Sequence, residues 1–593
     1  MLKIAVVLRH YLGMDLPART LDLNFGLPKA SAKFKAGKSS DGDFKHALEE
    51  EANIPSAYFG LILAEIKHVN RCALSPKQRQ SLMYDIFRLY YPKALSEIAR
   101  HAQTGGVPEL EERKQSLNLL VEIAQILIVS GQILFAGYYG GSNFKYARSR
   151  KAVMECASCI FELLLLKQQA RALRYKLLDE QDWQIANTLF YVMSCYEDVT
   201  QALPTLQKIL ELGGGRTKVS LQEQFVRLNV VAKFDMLRWP THLQWVIDSY
   251  LLSVENAVQV RLADSSAQPL RNELIAYCYS GHPAAGVVAS QPSGAAILLN
   301  CNGLTDAIRK DCMGLIQANK NDVTTSVPPR FVRFPAEERF VISEQLVRGL
   351  QNAAEDVVQE KEVRVEDLRI FVGLAEVFSL LRHKQSQYAS EDRLADVLAK
   401  RSALIAEDEV ATEKSVWSLL FQNEKMIRLS TQETSFTTRM NIGSLLAYGV
   451  GEDINRPSLA VVSRIFRPSH KVVVIDMYCI ANYAEAVMIT INAQEQSSTG
   501  QLRGKPALLV YNKKTLGGWG LMFPPQDVLP AIDQIALHRN QQIIEIKLET
   551  RRNATNDFYL FSSTLQSGQL GVTGEPDYAV PSVRKSHPSG WLI

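Results

Sequence analysis

"RLSTQETSFTTRMNIGSLLAYGV", residues 428–450, marks a change of character in the chain. Two arginines, Arg428 and Arg439, flank a Ser/Thr cluster, and a glycine and a smooth apolar strand follow. Such a stretch suits either an anion such as a nucleotide phosphate or simply the way into a β-barrel. The residues before it are dominated by helical patterns. Those after it are short β-branched runs bounded by turn signals.

Working toward the C-terminus, "SLAVVSRIF", "KVVVIDMYCI", "EAVMITIN", "PALLVYN", "GWGLMF" and "QQIIEIKLE" read as strands. The last has period two, with Ile544, Ile546 and Leu548 on one side and Glu545, Lys547 and Glu549 on the other. Strands at this spacing predict a barrel or sandwich. Upstream, "EVRVEDLRIFVG" alternates as a strand and "LAEVFSLLRH" reads as a helix. Residues 384–415 form a polar insertion rich in helix formers. "GGWG" at 517–520 is a hairpin turn, and the Gly-, Pro- and Ser-containing tail from 566 is expected to be loosely ordered.

Working toward the N-terminus, residues 54–261 are a succession of helices. "LNLLVEIAQILIVSGQILF" (117–135) and "KAVMECASCIFELLLLKQQARAL" (151–173) are apolar beyond one stripe, which places both centrally in a bundle. Ser142 or Asn143 is the expected N-cap of the second, and Ser220 with Glu223 has capping-box spacing. Residues 262–345 read as a small mixed module. Its strands are "AGVVAS" and "GAAILLNCNGL", and its helix is capped by Thr305 or Asp306. The first 53 residues contain a polar loop, "KASAKFKAGKSSDGD". The fold class is therefore multidomain α + β, a helical bundle or array followed by an antiparallel β-barrel domain over 346–565.

Composition narrows the function classes. The chain has 593 residues, 47% hydrophobic and 22% charged, with net charge +4. That suits about two to four globular domains and argues against wholesale nucleic-acid binding. No run of about eighteen apolar residues is read, so no membrane insertion is expected, and a cytoplasmic location follows. The eight cysteines have no framework spacing and read as reduced thiols. Cys156 and Cys159 have CxxC spacing, but they lie in a helical pattern without partner ligands. There is no HExxH, GxSxG or Walker-type loop. "LGGGRTK" follows a helix and lacks the ending of a phosphate loop. No residue pattern calls for a catalytic role or a metal.

The order of strand, insertion, tryptophan, Ser/Thr turn, "IGSLLAYGV", "LAVVSRIFRP" and "NDFYLF" resembles PilZ-type domains. The whole chain is similar to a proteobacterial group of PilZ-domain proteins with a long helical N-terminal region. Gly137 with Tyr138, Trp183, and Arg227 with Leu228 stand where that group carries "GY", "W" and "RL". The resemblance implies a six-stranded barrel, cyclic di-GMP as the candidate ligand, and a role in surface attachment, pili or motility. Family members that bind it carry an RxxxR segment and a D/N-x-S-x-x-G turn. Here the turn aligns with Glu433–Thr438: Ser435 matches, Glu433 is a longer relative, and Thr438 replaces the glycine. The arginines near the first strand, Arg364 and Arg369, are spaced five apart. Arg428, Arg439, Arg464 and Arg467 are the candidate replacement cations, with Glu433 and Ser435 beside them. The expectation is a non-enzymatic regulatory adaptor with a protein partner and a degenerate PilZ-like domain. The alternative is a cyclic di-GMP receptor. Gathering of the arginines in one pocket favours the receptor, and their dispersal favours the adaptor.

Overall fold

The computed structural model describes residues 32–33, 42–103, 111–139, 146–196, 199–203, 220–263, 267–270, 272–286, 295–320, 327–336, 338–350, 363–365, 368–388, 417–423, 426–450, 457–469, 471–481, 483–490, 505–525, 534–539, 542–555, 557–565 and 567–570. The chain divides into two compact units. One comprises residues 1–236 and 241–355, the other residues 237–240 and 356–593.

The first unit is helical. After β1 (Ala32–Lys33) come α1 (Gly42–Glu50) and α2 (Pro55–Arg71), then β2 (Cys72–Ala73), which pairs in parallel with β1. Next are α3 (Pro76–Gln103), α4 (Glu111–Tyr139), α5 (Tyr146–Ala172), α6 (Glu180–Tyr196), α7 (Leu221–Lys233) and α8 (Thr241–Leu252). The two apolar segments expected at the centre are α4 and α5. They pack along each other, with α2 and α3 against α4 and α7 against α5. Leu120, Ile123, Leu127 and Leu134 of α4 are fully buried, as are Ala157, Phe161 and Leu164 of α5. Gly131 sets the approach of these helices, because a Cβ there would lie 2.7 Å from Cγ1 of Ile160.

Contrary to the expectation of no membrane-length run, Gln115–Tyr138 has mean hydropathy 2.0 and is long and apolar enough to cross a bilayer. Glu122, Gln125, Ser130 and Gln132 interrupt it, so an uninterrupted-run count passes it over. More than half of that window is buried in protein, and packing against α5 accounts for its composition.

Short-range signals translate directly into structure. Ser220 Oγ accepts from the Glu223 amide at 3.2 Å, and the Glu223 carboxylate accepts from the Ser220 amide at 3.0 Å, a complete capping box. Cys156 and Cys159 are buried inside α5, where burial pushes the Cys156 thiol up to about 12. All eight cysteines are unbridged. The expected caps Ser142 and Asn143, and "LGGGRTK", lie outside the described residues.

The mixed module is a three-stranded antiparallel sheet in the order β3-β5-β4, followed by two helices. Its elements are β3 (Gln259–Ala263), β4 (Glu273–Tyr277), β5 (Ala296–Asn300), α9 (Asn302–Lys320) and α10 (Arg339–Leu350). Of the two expected strands, "GAAILLNCNGL" supplies β5. From "AGVVAS" only Ala285 and Gly286 are described, and Ala285 makes an isolated bridge to Ile275. The helix begins at Asn302, earlier than a cap at Thr305 or Asp306. Asn300 Oδ1 accepts from the Asn302 amide at 3.0 Å, so an asparagine more than one turn ahead of the expected position closes the start.

The second unit starts with β6 (Val363–Val365), β7 (Leu368–Val372) and α11 (Leu374–Tyr388). Then follow β8 (Trp417–Gln422), β9 (Ile427–Gln432), β10 (Leu445–Val450), β11 (Ser458–Phe466) and β12 (Val472–Ala481). Last come β13 (Tyr483–Thr490), β14 (Lys505–Asn512), β15 (Gly518–Phe523), β16 (Gln534–Arg539), β17 (Gln542–Ala554) and β18 (Tyr559–Ser563). Instead of one barrel over 346–565 there are two β layers. The first is a seven-stranded sheet in the order β6-β8-β9-β12-β11-β10-β7, and the second is a closed antiparallel barrel, β13-β14-β15-β18-β17-β16. The polar insertion beyond Tyr388 lies outside the described residues until Trp417.

Alternation explains the layering. Val487, Ile489, Leu509, Leu521, Leu537, Ile546 and Leu548 share one core inside the barrel. The opposite parity, Ala486, Leu508, Val510, Met522 and Leu560, packs with Leu445, Ala447, Leu459 and Val461 of the sheet. Leu374, Val377 and Leu381 of α11 complete that second core. Gly373, at φ +86°, makes the turn from β7 into α11 in a backbone region that disfavours side chains.

Candidate functional site

The stretch from Arg428 to Val450 comprises β9, a loop with one helical turn (Ser435–Thr438), and β10. It belongs to the seven-stranded sheet, not to the closed barrel, which begins at Tyr483. The Ser/Thr cluster acts locally. Thr434 Oγ1 accepts from the Thr437 amide at 3.4 Å, and Thr437 Oγ1 accepts from the Thr434 amide at 2.8 Å. These hydroxyls cap a turn, with Ser435 opening it.

Each candidate cation meets the chain's own groups. Asp476 on β12 pairs in register with Arg428 on β9 and with Arg464 on β11. Its carboxylate accepts from Arg428 Nε at 2.6 Å and Nη2 at 2.8 Å, a bidentate fork at a residue only 2% exposed. Arg464 lies over the Phe466 ring, 5.6 Å from its centroid. A one-residue irregularity at Ser463 lets Val462 face Met477 while Arg464 faces Asp476. Arg467, just past the end of β11, donates Nε to Glu433 at 3.0 Å, and the Glu433 amide donates to the Lys471 carbonyl. Arg439 donates to Glu376 of α11 at 2.9 Å and sits 5.5 Å from the Phe436 ring.

The structure thus brings Arg428 and Arg464 into one cross-strand row around Asp476. Arg467 with Glu433 forms a separate pair at the strand ends, and Arg439 a third. By strand parity, Arg467 and Glu433 continue the face of Ile465 and Leu429, opposite to that of Arg428 and Arg464. Arg364 and Arg369 fall on β6 and β7, the two ends of the sheet order. Asp476 and Glu376 are the site residues that reading by motif passes over. A lone aspartate inside "KVVVIDMYCI" is the signal, because a buried carboxylate in an apolar strand requires a cation beside it.

A second polar cluster lies in the helical unit. Glu97 Oε1 accepts from Ser116 Oγ at 2.7 Å and lies 3.1 Å from His101 Nε2, while Arg100 forks the same carboxylate at 2.6 and 3.0 Å. Ser116 Oγ also lies 3.2 Å from His101 Nε2, and the Glu97, Ser116 and His101 side chains are all buried. What the cluster does is hold a charge. Burial alone raises this carboxyl, but hydrogen bonds from His101, Arg100 and Ser116 outweigh it and hold Glu97 at about 2, against an ordinary 4.5. A depressed carboxyl contributes stability in full above pH 4.5, loses it progressively below, and contributes none below about 2. Urea midpoints at pH 5.5 and 3.5 are therefore expected to fall more for the native chain than for Glu97→Gln. Parallel falls in the two proteins would show that Glu97 is not the titrating group.

Among the described residues, no three His, Cys, Asp or Glu side chains are grouped closely enough to hold a metal ion. The notable residues of the helical part have structural partners. Arg227 pairs with Asp248, Trp183 is buried, and Gly137 faces Pro76. Comparison of the chain with protein-family models, with curated proteins and with solved structures finds no match.

Proposed function

We propose that this chain is a non-enzymatic regulatory adaptor, a helical protein-interaction scaffold joined to a PilZ-like β part that does not grip a nucleotide. The observation that carries the reading is the bidentate occupation of Arg428 by Asp476. A guanidinium fork already filled by an internal carboxylate offers a phosphate little, and releasing it would strand a buried charge. The dispersal of the other arginines, each against Glu433, Glu376 or Phe466, supports the same conclusion. So does the Ser/Thr cluster, whose hydroxyls close a turn. The PilZ likeness rests on the sequence motifs and on a six-stranded closed barrel that follows the motif-bearing turn. On the helical part, Met313 and Ile316 stand exposed one turn apart on α9, apolar surface of the kind partner helices cover.

Isothermal titration of the purified protein with cyclic di-GMP at moderate salt tests the reading. No saturable heat is expected up to high micromolar ligand. Saturable binding that disappears in Arg439→Ala, the most exposed of the paired candidates at 44%, would make the chain a receptor instead.

A further inference from the structure

Helix α9 presents a ridge to solvent. Asp306, Arg309, Lys310, Met313, Ile316 and Gln317 are exposed along it, while Ile308 and Leu315 on the opposite side are buried. At 3.6 residues per turn these positions form one stripe, with Met313 (56% exposed) and Ile316 (38%) near its middle. Val332, 59% exposed, lies on a segment tied to the same helix. Arg330 donates to Asp311 at 3.0 Å, and Pro328 lies over Gly314, where a Cβ would come within 2.9 Å of it. Charge is segregated along the stripe. Arg309 and Lys310 stand on its N-terminal side, whereas "MGLIQA", residues 313–318, carries no charge. The last carbonyls of a helix give its C-terminal end a partial negative charge. The two ends of the stripe are therefore complementary to each other, provided that a second such stripe runs antiparallel to the first.

We propose that α9 docks against α9 of a second copy of this chain, antiparallel about a two-fold axis near Met313. Met313 and Ile316 then cover one another across the axis, and the aliphatic stems of Arg309 and Lys310 extend the apolar contact. Arg309 precedes Met313 by four residues, so at 1.5 Å per residue it lies about 12 Å along the axis from its counterpart. Parallel copies would set the same cations side by side. In the antiparallel pair, Lys310 of one copy comes beside Gln317 of the other. A single helix-on-helix contact buries less than the roughly 1,600 Å2 of a standard interface, so the dimer is weak. The proposal takes up the interaction surface of the adaptor reading and names its occupant. Titration with cyclic di-GMP tests that reading and self-association tests this one, so the two fail separately.

Sedimentation equilibrium of the full chain, from low to high micromolar protein, is the experiment. A reversible monomer–dimer equilibrium is expected. Met313→Glu places two carboxylates near the axis and should weaken dimerisation by more than about tenfold. Its unfolding midpoint should match that of the native chain, because the position is exposed in the monomer. Gln317 supplies a pair of variants that a folding defect cannot imitate. Gln317→Glu should tighten the dimer about fivefold and Gln317→Lys loosen it by about as much, since two symmetry-related exposed ion pairs with Lys310 are made or opposed. A chain that stays monomeric at every concentration would overturn the proposal and leave α9 to a different protein. Dimerisation indifferent to Met313→Glu, or the same response to both Gln317 variants, would overturn it by placing the contact elsewhere.

Discussion

Arg428→Ala is expected to destabilise the β unit by about 3–5 kcal/mol, because it strands a buried carboxylate. Asp476 sits on β12, flanked by β9 and β11 in the middle of the seven-stranded sheet, with Ile475 and Met477 as its chain neighbours. Both carboxylate oxygens accept a hydrogen bond from Arg428. With that fork removed, the charge must protonate, draw in water or lean on Arg464 across the strand. The last route pulls the loss toward the lower end of the range. The double replacement Arg428→Leu with Asp476→Leu should recover most of the stability, since two apolar side chains in a sheet interior need no solvation. Calorimetric unfolding of the three proteins decides the matter. A single-variant loss below about 1 kcal/mol, typical of an exposed pair, would mean that the fork is not formed in solution.

The same pair shows how far the sequence alone can be read. Alternation in "QQIIEIKLE" places Ile544, Ile546 and Leu548 on the barrel's inner side, where Ile546 and Leu548 are buried, since period two is a local property. The apolar breadth of 117–135 and 151–173 likewise marks α4 and α5 as central. Pairing is not local. β6 and β7 are adjacent in the chain yet close opposite ends of the sheet, and no pattern in "EVRVEDLRIFVG" says so. The division of 346–565 into a sheet and a closed barrel turns on residues 481–483, where β12 runs almost directly into β13. Nothing in the composition there marks a boundary. β3 escapes a reading by pattern because an edge strand with Gln259, Arg261 and Leu262 exposed shows no alternation.

For the site, the residue types are legible and their partners are not. Arg428 reads as a cation near a Ser/Thr turn. That its counter-charge comes from Asp476, through the pairing of β9 with β12, is a matter of register. Motif reading weighs residues by their neighbours in sequence, whereas electrostatics weighs them by neighbours in space. The Ser/Thr cluster carries the same ambiguity, because helix capping and anion binding use the same donors and acceptors. Only the reciprocal bonds of Thr434 and Thr437 separate the two readings.

In the helical unit, the corresponding large loss is expected for Lys167→Met, again about 3–5 kcal/mol for an uncompensated buried charge. Lys167 and Asp182 are 4% and 1% exposed and lie 2.8 Å apart, joining α5 to the first turn of α6. Lys167 also donates to Gln125 of α4, so one ammonium ties three helices together. Methionine keeps the apolar stem and removes only the charge, so the loss is electrostatic rather than that of a cavity. Asp182 also caps its own helix, because one of its oxygens accepts from the Asp179 amide at 3.1 Å just ahead of α6. Asn keeps that acceptor without the charge. The pair Lys167→Met with Asp182→Asn should therefore be markedly more stable than Lys167→Met alone, although it carries one more substitution. Arg171 does not rescue the single variant, because its guanidinium already forks Asp179 at 2.7 and 2.9 Å. Hydrogen exchange over α5 and α6, read beside the unfolding midpoint, locates the loss. If the two substitutions simply add, Lys167 and Asp182 are not coupled, and the junction of α5 and α6 does not depend on their ion pair.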